Sequence, residues 1–181
     1  MFGPRQTGKT TLLRQEVMPK LDAAGMLPIY IDCWADRSDA MGSINHALTK
    51  KLEEIQCAPG SAAARAAKTP VKKLGALGAS IEFGDLPKRS IPKSPTLLFD
   101  SLLTQLIETT GRDLALIFDE FQSVAEGDEA GKLAAGIRAA LTQADQHVGV
   151  IFSGSSEHQL LRMFNTSKAP LYQFADAKPY Q

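Results

Sequence analysis

Hydrophobic residues follow two different spacings along the chain, and the two spacings alternate. Apolar residues recurring every three or four positions predict helices over about 10–21, 38–55, 96–112, 128–144 and 157–164. Continuous apolar runs predict buried strands over about 27–35, 113–120 and 147–155. Strands that are apolar throughout and alternate with helices indicate an α/β fold, with a mostly parallel sheet and helices on both faces.

Residues that begin or end helices support this division. Gly25 and Gly111 follow predicted helices and are expected to close them, whereas Pro19 should weaken the last turn of the first helix. Ser156 and Gln159 have the spacing of a capping box at the start of the last helix.

The segment 58–95 departs from this pattern. It is rich in Ala, Gly, Ser, Pro and Lys, and within it only the run ASIEF resembles a strand. Residues 65–93 carry seven Lys and Arg against two acidic residues. The simplest interpretation is a solvated basic insertion within one domain that spans 1–181. A contact with nucleic acid or with a partner protein through 65–93 is the alternative.

Composition limits the class of protein. Twenty Lys and Arg balance twenty Asp and Glu, so no global field would draw the chain to nucleic acid or to an anionic membrane. Cys33 and Cys57 have neither disulfide-framework nor zinc-site spacing and are expected to be reduced thiols. No apolar run is long enough to cross a bilayer, and no signal peptide is evident. A cytoplasmic location without membrane contact is therefore predicted.

The first residues contain a phosphate-binding pattern. Gly3, Gly8, Lys9 and Thr10 match the P-loop spacing, and an amphipathic helix follows directly, as that motif requires. The glycines let backbone N–H groups face phosphates, Lys9 reaches the outer phosphates, and the Thr10 hydroxyl is offered to Mg²⁺. We expect the whole loop to contact the nucleotide: Gly3, Pro4, Arg5, Gln6, Thr7, Gly8, Lys9, Thr10 and Thr11.

Two acids end the second predicted strand. In open parallel sheets, ligands bind at the carboxyl ends of strands, where Asp119 and Glu120 lie. Beside a P-loop, Asp119 is expected to join Thr10 in holding Mg²⁺, and Glu120 to orient and deprotonate the attacking water. Without a P-loop, the pair would be only an acidic strand end.

The third predicted strand is followed by serines. Capping accounts for Ser156, whereas Ser153 or Ser155 is a candidate sensor that reaches the γ-phosphate or the attacking water. Arg138 and Arg162 are the candidates for an arginine that neutralises phosphate charge, although a solvated role is the simpler interpretation for each. The three histidines are scattered without metal-ligand spacing.

Four stretches, GPRQTGKTTLL, LIFDEFQ, VIFSGSS and MFNTSKAPLY, together resemble the archaeal-type ATPase family, prokaryotic relatives of AAA+ and STAND P-loop ATPases. The resemblance covers most of the chain outside 58–95. It implies a three-layer P-loop NTPase fold of the additional-strand type, with ATP and Mg²⁺ as ligands. It also implies nucleotide and catalytic roles at matching positions, with FSGSS as the sensor region: Gly3, Gly8, Lys9, Thr10, Asp119 and Glu120.

The chain departs from that family at both ends. Only Met1 and Phe2 precede Gly3, where a central strand is expected, and the sequence stops where a helical lid and a further C-terminal domain would follow. We therefore expect a fragment whose sheet has a slot with unpaired backbone groups in place of the central strand.

Two functions follow from these observations. The first is a Mg²⁺-dependent ATPase that couples its nucleotide state to attached domains or partners. The second is a nucleotide-gated switch that hydrolyses ATP slowly or never. A DNA-associated ATPase is a weaker third hypothesis, which depends on the basic segment 65–93.

Overall fold

The computed structural model describes residues 1–2, 7–58, 92–126, 128, 131–176 and 178. It has three strands in these ranges: β1 (Leu27–Asp32), β2 (Leu114–Asp119) and β3 (Val148–Phe152). The helices are α1 (Lys9–Leu12), a π-helical segment (Leu13–Val17), α2 (Met18–Ala23), α3 (Ala40–Cys57), α4 (Pro95–Thr110), α5 (Ser123–Glu126), α6 (Lys132–Gln143) and α7 (Glu157–Asn165). The α/β alternation predicted from the sequence is confirmed.

The three strands form one parallel sheet in the order β1-β2-β3. In this sheet Leu27 lies opposite Leu114, and Leu114 lies opposite Val148. All six residues of β2 are buried, as expected for the middle strand of a covered parallel sheet. The carboxyl ends of the strands therefore lie together at one edge.

No slot separates the three described strands, which pair directly with one another. Phe2 instead forms a parallel bridge with Gly154, just beyond the end of β3. The Met1 ammonium donates a hydrogen bond to the Phe152 carbonyl at 2.7 Å, and the Gly154 N–H donates to the Met1 carbonyl at 3.3 Å. The residues that precede the P-loop pattern thus lie alongside β3, on the side away from β2.

The two faces of the sheet pack against different helices, because side chains alternate along a strand. Leu114, Leu116 and Phe118 belong to a buried cluster that includes residues of α3, α4, α6 and α7. Ala115 and Ile117 are also buried but lie outside that cluster. Their face meets the first helical run, where Arg14 lies over the Tyr30 ring. Helices therefore cover both faces.

The predicted helix ends are largely confirmed. Gly25 and Gly111 both have positive φ, of 87° and 62°, a conformation that glycine adopts without steric cost. The Ser156 side chain accepts a hydrogen bond from the Gln159 N–H at 3.4 Å, which satisfies one free donor at the start of α7.

The first helical run is less regular than its spacing predicts. The five-residue π-helical segment joins α1 to α2, and Pro19 lies in the first turn of α2. A proline lacks the N–H and crowds the carbonyl four residues before it, so a wider turn ahead of Pro19 accommodates the ring.

The predicted insertion lies almost wholly outside the described residues, as do the ASIEF run and the basic residues up to Arg89. The DNA hypothesis therefore stays a prediction. Among the helices that the structure describes, none has the length and apolar character needed to cross a bilayer.

Candidate functional site

A cavity of about 360 Å³ lies beside the start of α1 and the carboxyl ends of the strands. Its lining comprises Thr7, Gly8, Lys9, Thr10, Thr11, Trp34 and Glu120. The fold thus brings part of the P-loop pattern and one of the two strand-end acids to the same space. A second cavity, of about 380 Å³, lies between α3 and the residues that begin α4, and it contains none of these groups.

The described half of the P-loop pattern has a tight turn and a buried cation. Gly8 has φ 85°, and its carbonyl accepts a hydrogen bond from the Leu12 N–H at 2.8 Å. Lys9 is only 5% exposed, and its Nζ lies 3.4 Å from the Thr7 hydroxyl. The other predicted loop contacts, 3–6, lie outside the described residues.

Thr10 and Asp119, the two residues predicted to hold Mg²⁺, are in direct contact. The Thr10 hydroxyl donates to Asp119 Oδ2 at 2.6 Å, although the two residues are 109 positions apart in the chain. The Tyr30 hydroxyl donates to the same oxygen at 2.7 Å. The N–H of Glu120 donates to the other oxygen, Oδ1, at 3.1 Å. Both oxygens of this buried carboxylate are therefore held by the protein.

The Thr10 and Asp119 pair has the donor chemistry that Mg²⁺ requires. Mg²⁺ prefers oxygen ligands and is commonly held by one or two carboxylates together with waters and substrate phosphates. Within the ranges the structure describes, no group of three or more His, Cys, Asp and Glu side chains could hold a metal ion.

Glu120 has an unusual backbone and an engaged side chain. Its φ of 52° is one of two positive values among the non-glycine residues that the structure describes. Its Oε2 accepts hydrogen bonds from the Ser155 hydroxyl at 2.7 Å and the Ser155 N–H at 3.2 Å. Gln122 Nε2 donates to the same oxygen. Glu120 is thus tied to the segment that follows β3.

The two candidate sensor serines have different surroundings. Ser155 contacts Glu120, whereas Ser153 is fully buried and its hydroxyl has no hydrogen-bond partner among the described residues. The Ser153 backbone joins β3 to the end of β2. Its N–H donates to the Phe118 carbonyl at 2.7 Å, and its carbonyl accepts from the Phe121 N–H at 2.9 Å. Of the two alternatives, the structure brings the side chain of Ser155 to Glu120.

Aromatic packing supports the strand end that carries the acids. Phe118 and Phe121 flank Asp119 and Glu120 in the sequence, and their ring centroids lie 5.4 Å apart in an edge-to-face arrangement. Phe152 lies 4.4 Å from Phe121 and 5.3 Å from Phe118. Such pairs add about 0.5–1.5 kcal/mol each beyond the burial of their area. The backbone on both sides of the two acids is therefore firmly packed.

Neither candidate arginine lines the cavity. The Arg138 guanidinium donates to the carbonyls of Pro170 and Tyr172 at 2.6 and 3.2 Å, so it anchors the segment after α7. Arg162 is exposed on α7. Of the histidines, His147 pairs with Asp113 at 2.9 Å, and the other two are exposed.

Three residues at the site were not identified from the sequence. Tyr30 and Gln122 contact the two acids, and Trp34 lines the cavity. Arg37 covers the Trp34 ring, with its guanidinium carbon 4.5 Å from the ring centroid. The sequence carried one signal for them: alternation along β1 places Tyr30 two residues before a strand-end acid, Asp32, on the same face.

No protein-family model matches the chain, and no curated protein is significantly similar to it in sequence. The resemblance to archaeal-type ATPases therefore stays a prediction that depends on the motifs.

Proposed function

We propose that this chain is a P-loop ATPase core of the archaeal type, which binds ATP with Mg²⁺, hydrolyses it and couples its nucleotide state to an attached domain or partner. The observation that carries the proposal is the 2.6 Å hydrogen bond between Thr10 and Asp119, beside a cavity lined by Lys9 and Glu120. Four side chains with the expected chemistry converge although they come from distant parts of the sequence.

Each residue has one role in the proposed reaction. Lys9 and the N–H groups at the start of α1 bind the outer phosphates, with the positive end of the helical run towards them. Thr10 and Asp119 hold Mg²⁺, which supplies charge neutralisation for the phosphates when bound. Glu120 accepts a proton from a water whose oxygen attacks the terminal phosphorus, while the bond to the bridging oxygen breaks. The products are ADP and inorganic phosphate.

Ligand binding can be tested without relying on turnover. Trp34 is the single tryptophan of the chain and lines the cavity, so its fluorescence should change when a nucleotide enters. Mg²⁺–ATP at a hundred times its dissociation constant should stabilise the fold by about 2.7 kcal/mol, which raises the unfolding midpoint by roughly 5–10 °C. Both responses should disappear in Lys9→Ala. Absence of both responses in the wild type would refute the proposal.

One observation favours the slow or non-hydrolysing switch. Oε2 of Glu120 already accepts three hydrogen bonds, so this oxygen is occupied while Ser155 and Gln122 stay in place. Glu120→Gln distinguishes the two functions. If turnover falls at least about tenfold while affinity for ATP is kept, hydrolysis is the working step. If wild-type turnover is negligible and Glu120→Gln does not change it, the protein works through nucleotide occupancy and not through hydrolysis.

A further inference from the structure

The Tyr30 hydroxyl takes part in the contact between α1 and the end of β2. It donates to Asp119 Oδ2 at 2.7 Å, and the Thr10 hydroxyl donates to the same oxygen at 2.6 Å. The strand register explains the meeting, because Tyr30 lies opposite Ile117 and Asp32 lies opposite Asp119. Side chains two positions apart on adjacent parallel strands share one face of the sheet.

This contact restricts the rotation of the Asp119 carboxylate. The terminal torsion of an aspartate is broad and roughly two-fold, so a carboxylate without fixed donors can turn about its last bond. Here Oδ2 has two hydroxyl donors and Oδ1 has the N–H of Glu120 at 3.1 Å. Of the two hydroxyls, Tyr30 is the one that the P-loop pattern does not include.

Tyr30 is itself held in place. The guanidinium carbon of Arg14 lies 4.0 Å from the centre of its ring, which is a favourable cation–π distance. Arg14 belongs to the helical run that begins at Lys9, so this run contacts both the ring through Arg14 and the carboxylate through Thr10. Burial, and then the adjacent Asp119 carboxylate, raise the pKa of Tyr30 far above its ordinary value.

We propose that Tyr30 is a positioning residue for the divalent-cation site: it holds the Asp119 carboxylate against the Thr10 hydroxyl and thereby sets how strongly Mg²⁺ tightens nucleotide binding. This inference rests on the proposed function. Residues that orient metal ligands through hydrogen bonds typically change metal affinity by about 10–100-fold when they are removed. Tyr30 should act on the cation-dependent part of the affinity and not on the nucleotide contacts of the loop.

The test compares nucleotide affinity with and without the cation. Binding of the non-hydrolysable analogue adenylyl imidodiphosphate is measured by calorimetry on the full chain, once in excess Mg²⁺ and once in EDTA. The dissociation constant in EDTA divided by the dissociation constant in Mg²⁺ measures how strongly the cation tightens nucleotide binding. In Tyr30→Phe the ring and its contact with Arg14 are kept, and we expect this ratio to fall by about 10-fold or more while the affinity in EDTA changes by less than about twofold.

Tyr172→Phe is the matched control, because it makes the same chemical change at a hydroxyl that accepts a hydrogen bond from Gln173 at 3.2 Å. Its ratio should equal that of the wild type. The inference is overturned if Tyr30→Phe keeps the wild-type ratio, or if its affinity falls equally in Mg²⁺ and EDTA. A wild-type chain that does not bind the analogue in either condition refutes the proposed function and this inference with it.

Discussion

Ser155 directs both its hydroxyl and its backbone N–H to one carboxylate oxygen of Glu120, at 2.7 and 3.2 Å. The first of these residues follows β3 and the second follows β2, so the contact links the ends of two neighbouring strands. Any movement of the segment after β3 would therefore shift the carboxylate of Glu120, the proposed general base. This link predicts that Ser155 orients Glu120 in the proposed hydrolysis, which mutation can test.

Ser155→Ala should lower turnover because Glu120 loses the hydroxyl that orients its carboxylate. A hydrogen bond to a charged group contributes about 1.5–3 kcal/mol, so we expect saturated turnover to fall by about 10–100-fold while affinity for Mg²⁺–ATP stays within about twofold. Ser156→Ala is the control: it removes the α7 cap, which costs about 1 kcal/mol of stability but leaves turnover unchanged. Faster turnover in Ser155→Ala would contradict this prediction and favour a restrained switch.

Substitutions at Thr10 test the proposed cation site. Thr10→Ser keeps the hydroxyl that donates to Asp119, whereas Thr10→Val replaces it with a methyl group of similar size. We expect Mg²⁺-dependent turnover to fall by about 100-fold or more in Thr10→Val and by less than about fivefold in Thr10→Ser. The measurement is initial rate against Mg²⁺ concentration. Equal rates in the two variants would show that the hydroxyl is not needed.

The two cysteines should differ sharply in reactivity. Cys33 is buried, and burial, followed by the nearby carboxylates, raises the pKa of its thiol well above the ordinary value. Cys57 is exposed. Because the thiolate is the reactive form, iodoacetamide at pH 8 should modify Cys57 and leave Cys33 untouched until the chain is unfolded. Mass spectrometry of Cys57→Ser checks this: labelling of the native variant would contradict the burial of Cys33.

The Cys33 thiol also makes the stability of the fold depend on pH. Its folded pKa is raised, so its contribution to stability is fully present below the unfolded pKa of about 8.5 and is lost as the pH rises above that value. Urea unfolding at pH 7.5 and pH 9.5 should therefore show a larger drop for wild type than for Cys33→Ala. Equal drops in the two proteins would be evidence against this assignment.

Neither of the two arginines considered for phosphate contact should affect turnover, and only Arg138 should affect stability. Arg138 donates to two backbone carbonyls, and Arg162 is exposed. Arg138→Ala is expected to lower the free energy of unfolding by about 2 kcal/mol, whereas Arg162→Ala stays within about 0.5 kcal/mol. Turnover measured well below the unfolding temperature should be unchanged in both. A loss of turnover in folded Arg138→Ala would assign that guanidinium to the reaction.

The strands, the helices and four residues of the site could be predicted because their signals are local. A run such as LALIFD is apolar throughout, and Gly111 directly follows a periodic helix. The P-loop spacing identified Lys9 and Thr10, and the end of an apolar strand identified Asp119 and Glu120. That the two pairs lie close together agrees with the rule that ligands bind at the carboxyl ends of parallel strands.

The remaining site residues depend on long-range geometry that a single sequence does not carry. Tyr30 reaches Asp119 only because β1 pairs with β2 in one register, and a shift of one residue would turn Tyr30 to the other face. Gln122 reaches Glu120 within a short turn that leads into α5, a helix of four residues that gives no periodic signal. The choice of Ser155 over Ser153 likewise depended on the path of the backbone after β3.

The left-handed backbone conformation of Glu120 lowers the stability of the fold at the residue that is proposed to act as the general base. For residues with a side chain, such a conformation costs about 1–2 kcal/mol relative to the right-handed region, and glycine avoids that cost. Glycine here would relieve the strain but remove the carboxylate and its three hydrogen bonds. Backbone strain and these hydrogen bonds therefore act on stability in opposite directions at position 120, and a glycine variant would lack the carboxylate that the proposed hydrolysis uses.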